Sequence, residues 1–560
     1  MQDRLWNDAK RMAHILVGKT ANEPEKREPA DRPILVEIPK TAGFRSQIEA
    51  ANLLKKQGAK VVFVSEMSTD ELRVFLASRS FSLNFDVLCQ NNSEMNPKPE
   101  SGSFLLRQIR RLRPDYKNGV FSALRVTYHA SLNLWTRRQR NLDNVLRPND
   151  TGADLKPESG KALARQIQLR RPEYNYEVFN ALRTTYQASL NLWTERFRDV
   201  DGSCLLVSED GIGCAAILIA AAKRNRIPVL CFPYGYGSRE DLENDAALKA
   251  NAGVGYDTAS PGGDVVLDHF PKWVNSGRAG GKMLMRPEVI LARETLGVSL
   301  ERPWAIYGSE ADVLCAPSSQ YRDFVVSEGF DPRRVAVTGS PTGTRIHELV
   351  SRSPDVAAAF RKPCKMTAAG TRVLVSIPPS YHADRSHRTA FADYAELVSA
   401  IVGPIIQHGG AELSISVHPS IAEEDRKALA PYSSYITDEN IFDLMARTDV
   451  FITDFSSTTR WAIACGVPTI NYDVYQFALG AYDGVEGVLE AVSQVEYTTL
   501  LSQLVTDDAF YAATAERLLK VSDDWGRIDG SFADRVNDLI AGFNFGSDRQ
   551  PESNLSHQSA

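Results

Sequence analysis

At 560 residues the chain exceeds what one hydrophobic core supports, so two or three domains are expected. A hydrophobic share of 43% beside 24% charged residues describes a chain that folds rather than one that stays disordered. A formal net charge of -6 and a pI near 6.0 argue against a nucleic-acid binder, whose binding domain would be basic.

Residues 1–30 are polar, with one amphipathic helical pattern from Arg4 to Val17 and no basic-then-apolar leader. Ile34-Leu35-Val36-Glu37-Ile38 reads as a first strand and Arg45 to Lys56 as a helix. Lys60 to Val64 is a second strand, a βαβ opening of Rossmann-like type. The intervening loop is not Gly-rich, so no dinucleotide fingerprint is read there. A duplication follows, in which Asp86–Asp143 aligns without a gap on Asn144–Asp201 at a period of 58 residues. Lys98-Pro99-Glu100-Ser101-Gly102 recurs at 156–160, and Ala130 to Thr136 recurs at 188–194. Each copy carries a helical apolar stripe: Phe121, Leu124, Tyr128, Leu132, Trp135, then Phe179, Leu182, Tyr186, Leu190, Trp193. Two copies are too few for a solenoid, so they are expected as a helical insertion in the first domain. The plain reading of the stripes is packing of paired helices. The sharper one is a docking face for a partner or for peripheral membrane contact, with Arg107, Arg110, Arg111, Arg113, Arg137, Arg138 and Arg140 of the first copy.

Cys204 to Val207 is the next strand, leaving through Ser208-Glu209-Asp210-Gly211 into a buried helix, Ile212 to Ala222. That apolar run is shorter than the ~20 residues a bilayer span needs. Further strands are expected at Pro228–Cys231, Asp264–Leu267, Asp312–Ala316 and Val335–Thr338. His269 and His382 stand isolated in loops. The first domain is expected over 30–350, with a linker around Arg352 to Thr371, and a second, nucleotide-binding domain over 371–543. The second domain opens with Arg372 to Ile377, and residues 544–560 form a polar tail expected to be disordered. Seven cysteines are scattered with no C-x-x-C pair, which implies neither a zinc site nor a disulfide framework and suits the cytoplasm.

Glu412 to Tyr475 concentrates the chemistry. Leu413 to Val417 runs into His418-Pro419. Asp449 to Thr453 runs into Asp454-Phe455-Ser456-Ser457, and Trp461 to Cys465 is helical. Gly466-Val467-Pro468 then turns into a strand ending at Tyr472-Asp473. In parallel sheets ligands sit beyond the carboxyl ends of the strands, where His418, Pro419, Thr453, Asp454, Ser456, Ser457 and Asp473 all fall. The serines read as hydroxyl and N–H donors to a phosphate at a helix N-terminus, against the plain reading of a helix cap. His418 can donate to phosphate or ribose, and Asp473 can touch ribose hydroxyls. Glu209 and Asp210, at a strand end of the first domain, are the candidate general bases, with Asp210 first and a helix-dipole role as the alternative.

These motifs resemble those of CDP-glycerol glycerophosphotransferases. That family carries an HP pair, a D-V-L-I-T-D-Y-S-S block, a K/G-x-P turn and a strand ending near an aspartate. Val337-Thr338-Gly339-Ser340-Pro341 is similar to its G-x-P-R-x-D crossing, with Thr342 where the pattern has arginine. Glu209-Asp210-Gly211, His418-Pro419 and Ser456-Ser457 also resemble three short motifs of bacterial sialyl- and polysialyltransferases. The resemblance implies an α/β chain of two Rossmann-like domains (GT-B type) with the duplicated helical insertion in the first. It implies a cytoplasmic enzyme, at the inner face of the membrane if the arginine face docks there. Such an enzyme uses a nucleotide-activated sugar or polyol as substrate rather than a cofactor, and acts on a glycan or lipid-linked acceptor. A nucleotide-sugar epimerase of the same architecture and a non-catalytic scaffold are the alternatives.

Overall fold

The computed structural model describes residues 32–39, 43–77, 87–89, 176–251 and 255–544, less short stretches at 261, 278, 367–369, 381–389, 419–420, 422, 478–479 and 481. The Arg4–Val17 helix, the stripe and arginines of the first duplicated copy, His382, Pro419 and 545–560 lie outside the described residues.

The molecule is α/β, with two parallel sheets. One has the strand order β3 (Val87–Cys89), β2 (Val61–Ser65), β1 (Ile34–Glu37), β4 (Cys204–Val207), β5 (Val229–Cys231), β8 (Val313–Ala316), β9 (Val335–Val337), and the other β11 (Ala411–Val417), β10 (Thr371–Ile377), β12 (Val450–Thr453), β13 (Thr469–Tyr472), β14 (Val488–Ala491). By contact density the chain forms two compact units. The first comprises 1–40, 60–229 and 237–311, and the second 41–59, 230–236 and 312–560.

In the first unit, β1 (Ile34–Glu37), β2 (Val61–Ser65), β3 (Val87–Cys89) and β4 (Cys204–Val207) lie parallel. Ile34 is level with Val61 on one side and Cys204 on the other. Every residue of β1 and β4 is buried, as expected of strands covered on both faces, and this explains their unbroken apolar runs. The helix Tyr176–Val200 carries the second copy's stripe. Phe179, Leu190 and Trp193 are fully buried, and Phe179, Leu182 and Tyr186 join a core with Val265, Trp273, Ile290 and Leu291. For this copy the stripe is a packing face within its own unit.

Asp264–Leu267 is not a strand. It lies inside the helix Gly263–His269, whose buried Val265 and Val266 belong to the same core. Gly262, at φ 79°, turns the chain into that helix, and a two-valine run is too short for its period to be read. The helix expected from Ile212 starts at Ala216, because 211–214 is used in turns.

In the second unit, β8 (Val313–Ala316) pairs with β9 (Val335–Val337), and Leu230 and Cys231 of β5 (Val229–Cys231) pair with β8. The five-stranded sheet is built from β10 (Thr371–Ile377), β11 (Ala411–Val417), β12 (Val450–Thr453), β13 (Thr469–Tyr472) and β14 (Val488–Ala491). Its core is aliphatic and aromatic, including Val375, Ile415, Ile452, Ile470 and Tyr497. Buried Asp449 fixes the entrance to β12 by accepting N–H bonds from Met366 (2.7 Å) and Arg372 (2.8 Å). The remaining short pair, β6 (Tyr256–Asp257) and β7 (Lys282–Met283), is antiparallel and belongs to the first unit. Among the described residues no helix is long and apolar enough to cross a membrane.

Candidate functional site

The carboxyl edge of the five-stranded sheet collects most of the residues singled out from the sequence. Val417 is level with Ile377, and Val375 with Ile452. The chain therefore leaves β11 at His418 and β12 at Asp454 at similar heights, two strand spacings or about 10 Å apart. His418 is half-buried, and its carbonyl accepts the Ile421 N–H at 3.1 Å.

Thr453 pairs with Asn471 across β12 and β13, and Asn471 with Glu490 across β13 and β14. Asn471 Nδ2 donates to Glu490 Oε2 at 2.9 Å, and its Oδ1 accepts the Phe455 N–H at 3.1 Å. That bond holds Phe455 at φ 25°, a conformation that costs an L-residue energy and that recurs at functional turns. The kink sets the direction of the two serines. Ser456 Oγ accepts the Thr458 N–H at 3.2 Å and lies 2.6 Å from the Thr458 hydroxyl, while its carbonyl accepts from Tyr482 Oη at 2.8 Å. The helix that follows, Thr459–Cys465, is seven residues long. Ser456 and Ser457 thus occupy a turn ahead of the helix rather than its cap. Ser318, by contrast, is a true cap, accepting the Tyr321 N–H at 3.1 Å. What the pair offers a ligand is hydroxyls on a stiff turn.

Asp454 and Asp473 stand behind that turn. Asp454 is 4% exposed and neither carboxyl oxygen has a hydrogen-bond partner. Burial first, and the Asp473 charge second, push its pKa well above the carboxylate range. Asp473 is buried and accepts the Phe477 N–H at 2.8 Å.

In the first unit the two candidate bases separate. Asp210 is fully buried. Its Oδ1 accepts the Gly308 N–H at 2.7 Å, and its Oδ2 accepts those of Ser309, Glu310 and Ala311 at 2.9, 3.0 and 2.9 Å. Burial raises its pKa, opposed by those four N–H groups. A carboxylate whose oxygens are filled by four donors is an anchor for the 308–311 loop rather than a proton acceptor. Gly211 beside it packs against that loop's approach: a Cβ there would lie 1.9 Å from the Ala305 carbonyl oxygen. Glu209 is 7% exposed and adjoins Glu37, which the sequence reading passed over as a strand residue. Glu37 is 4% exposed and accepts the Ser208 N–H at 3.1 Å. Burial, with the charges of Glu66 and Glu209, raises its pKa to about 8. An acid closing an apolar strand run was the signal available.

A recess in the second unit was also missed. It is small, with a cavity volume of ≈ 40 Å³, and its lining includes Ser46, Tyr234, Ser340, Thr342, Arg460 and Trp461. Thr342, which departs from the arginine of the resembling pattern, thus shares a recess with an arginine from another element. Among the described residues no group of three or more His, Cys, Asp or Glu is placed to hold a metal ion.

No family model and no curated protein matches the sequence. Solved structures similar in form include UDP-GlcNAc 2-epimerase from Neisseria meningitidis bound to UDP-GlcNAc, at 11% identity and a TM-score of 0.42, covering 91% of this chain and 99% of that one. The wall teichoic acid polymerase TagF matches at 9% identity and a TM-score of 0.44, over 97% of this chain and 98% of that one. A glycosyltransferase from Rickettsia africae ESF-5 matches at 10% identity and a TM-score of 0.40, over 92% of this chain and all of that one.

Proposed function

We propose that the chain is a transferase that moves a sugar or polyol-phosphate group from a nucleotide-activated donor, CDP- or CMP-linked, to a glycan or lipid-linked acceptor of a surface polysaccharide or teichoic-acid-like polymer. The observation that carries this reading is the polar edge of the five-stranded sheet. Half-buried His418, the Ser456-Ser457 turn and buried Asp454 and Asp473 all stand at carboxyl ends of parallel strands. In this reading His418, Ser456 and Ser457 donate to the phosphate on which charge develops as the bond breaks. Asp473 takes a ribose hydroxyl, and Asp454 orients the loop that carries the serines. Thr453 shapes the loop that leaves β12. Residues 371–543 are the donor-binding domain and 30–350 the acceptor side, in a cytoplasmic enzyme. Glu209 takes the role of general base, because Asp210 is committed to its loop.

The Glu37, Glu66 and Glu209 group favours a second reading, a nucleotide-sugar epimerase, which needs several acids about one sugar. The two part on product: an epimerase alters the sugar with no acceptor and no nucleotide release. The first test is a thermal-shift series with CMP, CDP, UDP, GDP and ADP. A cytidine nucleotide at 100 times its Kd should stabilise by ~2.7 kcal/mol through mass action. A midpoint indifferent to all five nucleotides would overturn the donor reading.

A further inference from the structure

We propose that the recess lined by Ser340, Thr342 and Arg460 is a phosphate-binding subsite in which Arg460 is the clamp. Arg460 is 5% exposed, yet its Nε and Nη1 have no hydrogen-bond partner. Nη2 donates to the Tyr234 carbonyl at 3.2 Å. The guanidinium lies 5.8 Å from the Tyr321 ring and 5.3 Å from the Trp461 ring, which hold its plane in place. No carboxylate among the described residues pairs with it. Buried charges are ordinarily paired, and one neutral acceptor with two ring faces does not replace the lost hydration. Nε and Nη1, on different edges of the guanidinium, each keep donors that an oxygen of a phosphate can take.

The opposite wall points to the same ligand independently. The helix Pro341–Arg352 is 12 residues long and starts in this recess. Ser340 Oγ accepts the Gly343 N–H at 3.2 Å, and the Thr344 N–H reaches the Ser340 carbonyl at 3.2 Å. Pro341 has no N–H, and the Thr342 N–H, in the first turn of the helix, has no acceptor among the described residues. The positive end of the helix, Thr342 and Ser46 thus line one recess with Arg460, whose guanidinium has no carboxylate partner among the described residues. The class of ligand is a phosphoryl oxyanion. That it is part of the transferred or leaving group rests on the donor reading; that the recess holds phosphate does not.

The test uses the full chain and pyrophosphate, with calorimetric titration and thermal unfolding in anion-poor buffer. Wild type should bind pyrophosphate saturably. Arg460→Met should weaken binding at least tenfold while its ligand-free midpoint is equal to or above wild type, because an apolar chain of similar length replaces an uncompensated charge. Thr342→Asp, which supplies an internal anion, should raise the ligand-free midpoint and block pyrophosphate even where Arg460→Met fails to fold. A wild type blind to pyrophosphate, or both variants binding it as wild type does, would overturn the proposal. Pyrophosphate bound through Arg460 with no nucleotide bound would uphold it and sink the donor reading. Cytidine diphosphate bound equally by wild type and Arg460→Met would do the reverse.

Discussion

Asp210 separates an anchor from a base by experiment. Its carboxylate accepts four backbone N–H groups from the 308–311 segment, in which Ser309 and Ala311 are themselves buried. Asp210→Ala would strand all four donors at about 1 kcal/mol or more each, so roughly 4 kcal/mol or above should be lost. That is a large part of the ~5–15 kcal/mol a domain has. Asp210→Asn is milder. Its amide oxygen can take the three-donor position of Oδ2, leaving its NH2 against the Gly308 N–H, a loss of about 1–3 kcal/mol. Glu209→Ala should fall outside this series, with a small change in stability and a 10²–10⁴-fold loss of turnover if it is the base. Urea unfolding of the three variants, followed by proteolysis near residue 308, measures the ladder. Asp210→Ala unfolding within about 0.5 kcal/mol of wild type, a margin ordinary surface changes stay inside, would refute the anchoring argument and restore Asp210 as the first choice for the base.

Glu37 carries a pH signature. Its pKa is raised from 4.5 to about 8, so the folded state keeps a proton that the unfolded chain releases above pH 4.5. Its stabilising contribution is full below that value, declines as pH rises, and is gone above about 8. Glu37→Gln should remove this slope and gain on the order of 3 kcal/mol at pH 7 with no gain at pH 4, as unfolding curves across that range would show. A parallel pH profile would mean that Glu37 is ionised in the fold. Asp454→Asn should likewise be neutral at pH 4 and stabilising at pH 8, since its raised pKa has the same sign; destabilisation at pH 8 would show an ionised, partnered Asp454. Gly343→Ala puts a Cβ 2.2 Å from the Arg527 carbonyl oxygen and should cost ~1–3 kcal/mol. Gly403→Ala, with nothing nearer than 4.0 Å in mid-helix, should gain up to about 1 kcal/mol, and equal midpoints for the two would contradict the packing.

The parallel strands were legible because they are buried on both faces and read as short apolar runs: Ile34–Glu37, Cys204–Val207 and Val450–Thr453 all stand where the pattern put them. Asp264–Leu267 misled because four residues do not fix a period. His418, Asp454 and the serines were legible as a chemical set because strand order implies a common edge. The serines' turn was not, since it depends on the Asn471 bond to Phe455, sixteen residues away. Nothing local marks Asp210 as an anchor either, as its four donors lie about a hundred residues on. Arg460 stands just ahead of the helical run Trp461–Cys465 with no signal of its own, and only burial without a carboxylate partner distinguishes it.

The central claim is that a nucleotide is held at the carboxyl edge of the five-stranded sheet. Calorimetric titration of cytidine diphosphate into wild type, His418→Ala and Ser457→Ala tests it most directly. Wild type should show saturable one-site binding, weakened about tenfold or more in each variant, the ~1.4 kcal/mol worth of one charge-assisted hydrogen bond. Cytidine diphosphate that fails to bind wild type, or binds all three proteins alike, would contradict it.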